Sequence, residues 1–563
     1  MDLLKILKYC IVLGLISVAI IQLPTTVHHE HVDTHARHLG HDSLSQAEPK
    51  IHEIEEEIRQ RAAKPSTPPP DATPDEIPLI TATSAAFVDE NAQSSSVDEE
   101  DALDEGDEEV SSAVESSLQL LPPPVSLIKA TSYQIAPTNL PTATQVVPSV
   151  VSPPARSPLA CKKLDAAIEN GDTVTPVEPE ALSAGWVYHN GAQDNVSYSH
   201  MAMVERLPSS SRYSYITVWQ AADVVAGGRD MHIRASVSHD MLTWYKSHRI
   251  HLPQDGAIWA PVLYLSRNGT REELLLFYAE SSTCIRDRPK LHDQAYAPGG
   301  TIKMVRSRDG VNWGTPKVVL SQDAEGGVPK VIANKPVLLE SGMLLLPFWR
   351  EDPSPISRTC KLAKACAKCV IEHGAPVGIS GTLLSTDGGR KWTVGGNIKA
   401  PKGALLLEGT AVQLPNSRVL QFFRSTVGNV FVASSDTDGD TWTPAVAIEA
   451  LPNPSSKVSA ELLPGVNSTM IALAYNHHGS KIDGVKVSTR TRLRVAVSAD
   501  EGFSWTGVAK LEEEIVAQTK FHYPTLITPD ASGCQLGVVY TIGMKWRAGE
   551  GGVRFVLFDL DDL

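Results

Sequence analysis

Ser385-Thr-Asp-Gly-Gly-Arg-Lys-Trp392 and Ser498-Ala-Asp-Glu-Gly-Phe-Ser-Trp505 share the spacing Ser-x-Asp-x-Gly-x-x-Trp. Three looser copies follow the same order: Ser238-His-Asp-Met-Leu-Thr-Trp244, Ser307-Arg-Asp-Gly-Val-Asn-Trp313 and Ser434-Ser-Asp-Thr-Asp-Gly-Asp-Thr-Trp442. The pattern describes a β-hairpin turn. Its Asp caps the turn through backbone N–H groups, its Gly permits positive φ, and its Trp packs beneath the turn. Five copies within one stretch make an internal repeat, and each copy marks one repeat unit.

Outward from the repeats, the texture after about Val174 is one of short apolar runs such as Tyr215–Trp219, Glu273–Tyr278, Met343–Phe348 and Val419–Phe423, separated by Gly, Pro, Asn and Asp. These runs read as strands, and long helical periodicity is absent, so this part is nearly all β. From Pro24 to about Ala160 the chain is instead rich in Pro, Ser, Thr, Ala and acid, too poor in large apolar groups to offset the entropy of ordering. It reads as a disordered stem, with one short amphipathic helix expected over Ser45–Ala63 around Ile51, Ile54 and Ile58. The acidic run Asp98–Glu109 contributes heavily to the net charge of -15, and no basic patch with interleaved aromatics occurs; nucleic acid is not an expected partner.

At the N-terminus Lys5 and Lys8 precede an uncharged apolar run that continues to about Val27, close to bilayer length and without a small-residue cleavage site. A signal anchor is expected, with the lysines cytoplasmic and the rest lumenal or extracellular, as in a single-pass type II protein; a cleaved signal peptide with a secreted product is the alternative. Sequons at Asn195, Asn268 and Asn467 fit that compartment. Outside the anchor there are six cysteines, Cys161, Cys284, Cys360, Cys366, Cys369 and Cys534, an even set that an oxidising lumen can pair. In the segment Cys360–Cys369 only His373 lies nearby as a further zinc ligand, so disulfides in a surface insertion are the expected reading.

The repeat is the Asp-box, and the chain resembles the sialidase superfamily, more closely its branch of BNR-repeat proteins. The resemblance implies a sialidase-like six-bladed β-propeller. The expected organisation is a cytoplasmic tip and signal-anchor helix over 1–27, the stem over 28–160, and the propeller over 161–563. In this family the Asp-box lies on the rim away from the active face and is structural.

Sialidases present three arginines to the substrate carboxylate, a Tyr nucleophile activated by a Glu, and an Asp acid/base. Arginine forks bind carboxylates in bidentate fashion, and a tyrosine with an ordinary pKa near ~10 needs a neighbouring base before it attacks. Leu407-Glu408 through Phe423-Arg424 resembles the family hairpin that brackets the Glu and the second Arg, and the turn Pro415-Asn-Ser-Arg418 brings Glu408 and Arg424 side by side. Ser488-Thr-Arg490 resembles the strand that opens with the third Arg, with Arg492 as the alternative register. Phe521-His-Tyr523-Pro, followed by Leu536–Thr541, resembles the strand pair bearing the nucleophile, which makes Tyr523 the candidate.

The first blade departs from the pattern. Where the family has Arg-Ile-Pro, this chain reads Tyr198-Ser-His-Met-Ala-Met203, so the first arginine is missing and Ser199 or His200 stands near its place. Arg350, in Pro347-Phe-Trp-Arg-Glu351, is the candidate replacement from another blade. For the acid/base, Asp223 and Asp230 both lie in the appropriate loop, with Asp230 preferred. Asn334–Leu338 and Leu451–Ser456 resemble inner-strand and loop motifs of the branch that place blades without assigning chemistry.

The resemblance therefore implies an exo-glycosidase acting on terminal, acidic sugars of glycoconjugates, with a glycan as partner and no metal or organic cofactor. The alternatives are a carbohydrate-binding propeller without hydrolysis, favoured by the missing arginine, and a polysaccharide lyase or other glycosidase in which His200 and Tyr523 act as base and acid.

Overall fold

The computed structural model describes residues 162–171, 173–179, 182–190, 196–224, 226–268, 271–288, 293–352, 372–463, 470–479, 481–482, 485–486, 490–513, 519–529, 534–544 and 551–560. The expected anchor, the stem with its helix at Ser45–Ala63, Asn195, Asn467, Cys161 and the cysteines of 360–369 all lie outside these residues. Among the described residues no helix is long and apolar enough to cross a membrane. One short helix, Lys162–Asn170, tucks Leu164 into the apolar cluster of Met470, Val495 and Leu536.

The rest is a six-bladed β-propeller in which each blade is an antiparallel sheet of four principal strands. Blade 1 runs through Tyr198–Arg206, Tyr215–Ala222, His232–Ser238 and His248–Ile250. Blade 2 uses Ala257–Asn268, Arg271–Ser281, Thr301–Ser307 and Lys317–Leu320, with an inserted hairpin of Cys284–Arg288 and Asp293–Tyr296. Blade 3 is built on Lys330–Val331, Leu344–Arg350, Ser380–Ser385 and Thr393–Ile398, with Val337–Leu338 also paired to its second strand. Blade 4 comprises Leu406–Gln413, Val419–Ser425, Asn429–Ser435 and Val446–Pro452; blade 5 comprises Ser459–Leu462, Ile471–Asn476, Leu493–Ser498 and Thr506–Glu512. In blade 6 three C-terminal strands, Thr519–Ile527, Gln535–Met544 and Gly552–Asp559, are completed by Ser183–His189, which pairs Ser183 with Leu557 and His189 with Gly552. The ring is thus closed by an N-terminal strand. Second strands such as Val419–Ser425 are buried along their whole length, which is why they read as continuous apolar runs rather than alternating ones.

Each Asp-box is the turn from the third to the fourth strand of a blade. In blade 3, Asp387 Oδ1 accepts the backbone N–H groups of Arg390 and Lys391 at 2.9 Å each, Ser385 Oγ accepts that of Gly389, and Trp392 Nε1 donates to the Gly389 carbonyl. These contacts hold the Asp387 carboxyl below its ordinary range. The Trp reaches back to the preceding blade: Trp392 meets Phe277 edge-on at 5.6 Å, Trp505 meets Phe422 at 5.7 Å, and Trp244 lies 6.3 Å from Phe555. The copy in blade 4 differs from the sequence reading. Its register begins at Ser435, and Thr437 Oγ1, not Asp436, accepts the Thr441 N–H at 2.8 Å, while Asp436 pairs with Arg418 on the surface. A threonine hydroxyl supplies the same local acceptor as the aspartate does elsewhere. Blade 6 has no box because its fourth strand comes from the other end of the propeller and no turn joins it to the third.

First strands line the axis, and here the backbone is strained. Pairing with the second strand slips between His200 and Met203, Trp259 and Val262, Leu407 and Thr410, and His522 and Thr525. The bulged residues Met201, Ala260, Glu408 and Tyr523 have φ of 53°, 52°, 53° and 57°. Non-glycine residues in this region cost about 1–3 kcal/mol each and re-aim the side chain. Side chains tie the strands around the axis: Asn334 Nδ2 donates to the carbonyls of Glu408, Gly409 and Val458, Thr410 Oγ1 accepts from Ala460 N, Ser459 Oγ from Leu526 N, and Thr525 Oγ1 donates to the Ala202 carbonyl.

Candidate active site

The third strand of a blade runs parallel to the first and ends at the Asp-box, so the start of each first strand lies on the opposite face. Glu408 sits near the start of its strand, and Arg424, near the end of the next, returns to the same level. Leu407 pairs directly with Arg424, and the bulge at Glu408 turns its side chain toward the guanidinium. The neighbouring Gly409 is confined: a Cβ there would stand 2.3 Å from Gln421 Nε2.

Three candidates meet in one buried cluster. The Tyr523 hydroxyl donates to Glu408 Oε1 at 2.5 Å, and Arg424 Nη1 donates to the same Oε1 at 3.2 Å and to the Tyr523 oxygen at 3.0 Å. All three residues are at most 8% exposed. Burial first, and then the charge of Glu408, raises the Tyr523 phenol above its ordinary pKa. The phenol is therefore held protonated against a carboxylate that can take its proton, beside a guanidinium that can stabilise the charge left behind.

Arg490 approaches from blade 5. Its Cζ lies 5.4 Å from the Tyr523 ring centroid, its Nη1 bonds His522 Nδ1 at 3.1 Å, and its Nη2 donates to the Ser455 carbonyl at 3.1 Å. Because arginine only donates, His522 accepts at Nδ1 and carries its proton on Nε2. Burial, with His200 and Arg490 nearby, holds His522 well below its ordinary pKa, so it stays neutral. Among the described residues Arg492 makes no hydrogen bond or ring contact with this cluster; it is half-buried at φ 49° and its carbonyl accepts from His477 N.

Of the two first-blade candidates, His200 and not Ser199 reaches the cluster. The His200 ring is 4.1 Å from that of Tyr523 and 4.6 Å from that of His522, whereas Ser199 turns away to Asn190 Oδ1 at 2.7 Å. Arg350 is not brought into the group. It is 1% exposed, and its fork is taken by Glu325, with Nη1 on the Ile379 carbonyl and Asn397 Oδ1.

The two aspartates share one loop. Asp230 Oδ2 accepts the N–H groups of Asp223 at 2.7 Å and Val224 at 3.2 Å, so Asp230 organises the loop and Asp223 stands exposed. Burial outweighs those N–H groups and raises the Asp230 carboxyl. The hairpin inserted in blade 2 clasps this loop through Tyr296 N to the Gly227 carbonyl at 2.9 Å and Arg229 Nε to Tyr296 Oη at 2.6 Å. Cys284 in that hairpin and Cys534 are both disulfide-bonded.

Sequence reasoning passed over Ser455. With φ 59°, it accepts Arg424 Nε on its hydroxyl at 3.0 Å and Arg490 Nη2 on its carbonyl, so one residue orients both arginines. The Leu451–Ser456 motif pointed to the segment but not to that role.

A family model described as "BNR repeat-like domain" matches residues 214–537. Among solved structures, a protein of unknown function from Dyadobacter fermentans is similar at 13% identity and TM-score 0.49, over 67% of this chain and 97% of that one. A Hadza microbial sialidase is similar at 15% identity and TM-score 0.48, over 68% and 69%, and a leech intramolecular trans-sialidase complexed with 2,7-anhydro-Neu5Ac at 14% and 0.47, over 68% and 70%. No curated protein matches the chain.

Proposed function

The chain belongs to the BNR repeat-like domain family, and from that premise we propose that it is a sialidase-like exo-glycosidase releasing terminal acidic sugars from glycoconjugates. The observation that carries the reading is the Tyr523–Glu408 hydrogen bond of 2.5 Å with Arg424 Nη1 on both partners. A phenol so paired is a nucleophile with its base, and sialidases are the recognised tyrosine exception among glycosidases.

In the first step the Tyr523 oxygen bonds to the anomeric carbon and its proton passes to Glu408. The bond to the leaving sugar breaks, and the leaving oxygen takes the proton of Asp230, whose raised carboxyl suits an acid. In the second step Asp230 takes a proton from water as the water oxygen bonds to the anomeric carbon. The bond to Tyr523 breaks, and Glu408 returns the proton to the phenol. Arg424 and Arg490 bind the acidic group of the sugar. An anchored stem, with the propeller in the lumen or outside the cell, suits an enzyme that works on passing glycans.

A lyase on the same scaffold is the second reading, favoured by the His200 ring 4.1 Å from Tyr523 where the family has arginine. Hydrolysis of a fluorogenic sialoside by the full chain tests the first. The expected outcome is release that falls at least about 10³-fold in Tyr523→Phe. Absence of release, with an ultraviolet-absorbing unsaturated product from a uronic-acid polymer, would replace it with the lyase.

A further inference from the structure

Two lysines among the described residues are fully buried, Lys330 in blade 3 and Lys457 at the entry to blade 5. Burying an ammonium strips its water, so each needs local compensation. Lys330 finds it within one loop: its Nζ donates to the carbonyls of Ser321, Gln322 and Ala324. That is a structural tie, and burial pulls its pKa down to about 8.

Lys457 is placed differently. Its Nζ donates to the Pro524 carbonyl at 2.5 Å and to Thr525 Oγ1 at 3.3 Å, the two residues that follow Tyr523 through the bulge. Two residues upstream, Ser455 holds Arg424 and Arg490. The charged groups that act on Lys457 come from several blades: Glu408 as the anion and Lys335 as a competing cation itself paired to Glu205, with Tyr523 adjoining the carbonyl that Lys457 grips. Burial lowers the ammonium to about 7, and Glu408 opposes that fall.

We propose that Lys457 is a positioning residue for Tyr523. Its ammonium grips the Pro524 carbonyl, fixes the left-handed bulge that aims the phenol, and serves as a buried counter-charge to Glu408. This rests on the reading of Tyr523 as nucleophile and Glu408 as its base. When the phenol proton passes to Glu408, the negative charge facing Lys457 disappears from the carboxylate, so the two groups feel each other's protonation. A merely structural lysine would hold the carbonyl without coupling to Glu408; Lys330, whose carboxylate neighbours are Glu325 and Asp323, is the comparison.

The test is a pH titration of the full chain carrying lysine labelled with ¹³C at Cε. Two resonances are expected to titrate below the ordinary lysine range, one lost in Lys457→Met and the other in Lys330→Met. In Glu408→Gln, which keeps the shape of the site, the Lys457 resonance is expected to titrate about one pH unit lower while that of Lys330 stays in place. A Lys457 resonance unmoved by Glu408→Gln overturns the proposal, and this arm decides the matter even if Lys457→Met does not fold. With an active chain, the limb of kcat/KM near neutrality is expected to vanish in Lys457→Met and persist in Lys330→Met; an unchanged profile in Lys457→Met also overturns it. If the wild type hydrolyses no acidic glycoside while Glu408→Gln still moves Lys457, the hydrolase reading fails and the coupling stands.

Discussion

The rim and the axis of this propeller are built on opposite rules. On the rim one local solution is used five times, a short side chain capping a turn a few residues away, and in three of the five the Trp meets an aromatic ring of the preceding blade. On the axis a shared backbone carries unlike side chains. Glu408, Tyr523, Met201 and Ala260 share a left-handed backbone at matching bulges, yet they are an acid, a phenol and two apolar side chains. The common element at the axis is strained main chain, onto which each blade mounts a different group. Repetition therefore reports stability, and departure from repetition reports function.

That contrast is sharpest where a variant moves one property and spares the other. Glu408→Gln, at the axis, is expected to cut hydrolysis by roughly 10²–10⁴-fold with the fold intact, read as kcat/KM beside circular dichroism. Trp392→Ala, on the rim, is expected to cost about 3–5 kcal/mol in denaturant unfolding while the folded fraction keeps its kcat. A loss of turnover without loss of stability in that variant would break the division.

The two buried lysines predict a slope. Both have folded-state pKa values lowered from 10.5, to about 7 for Lys457 and about 8 for Lys330. Between those values and 10.5 the unfolded chain binds more protons than the folded one, so each contributes stability that rises with pH across that window, by up to about 1.4 kcal/mol per pH unit. The contribution is absent below the folded-state pKa and complete above 10.5. Urea midpoints measured from pH 7 to 10 check this, and Lys330→Met is expected to flatten the curve above about pH 8. The smallest expected effect is at Ala260, which has φ 52° and no assigned chemistry: Ala260→Gly is expected to raise stability by up to about 1 kcal/mol by removing a Cβ from a left-handed residue.

The same division explains what could be read from the chain. The boxes were legible because their contacts span three or four residues, and the shifted register in blade 4 moved the serine from Ser434 to Ser435 and the capping acceptor from Asp436 to Thr437. Glu408 and Arg424 were legible because a hairpin returns one to the other. Ser455 and Lys457 were not, since their partners Arg424, Arg490 and Pro524 come from other blades, and a positive φ at a serine leaves no mark in composition. Arg350 shows the same limit: its residue type suggests a substrate clamp, and only the fold shows that Glu325 pairs with its fork.

Closure of the ring by Ser183–His189 has a consequence in time as well as in space. A nascent chain emerging through blade 5 already displays Glu408, Arg424 and Arg490, but it lacks Tyr523 and Lys457 has no carbonyl to grip. The last blade supplies both on its first strand, and its third strand pairs with the N-terminal strand. The Tyr523–Glu408–Arg424 cluster is therefore completed only as the last blade forms, just before the circle is sealed.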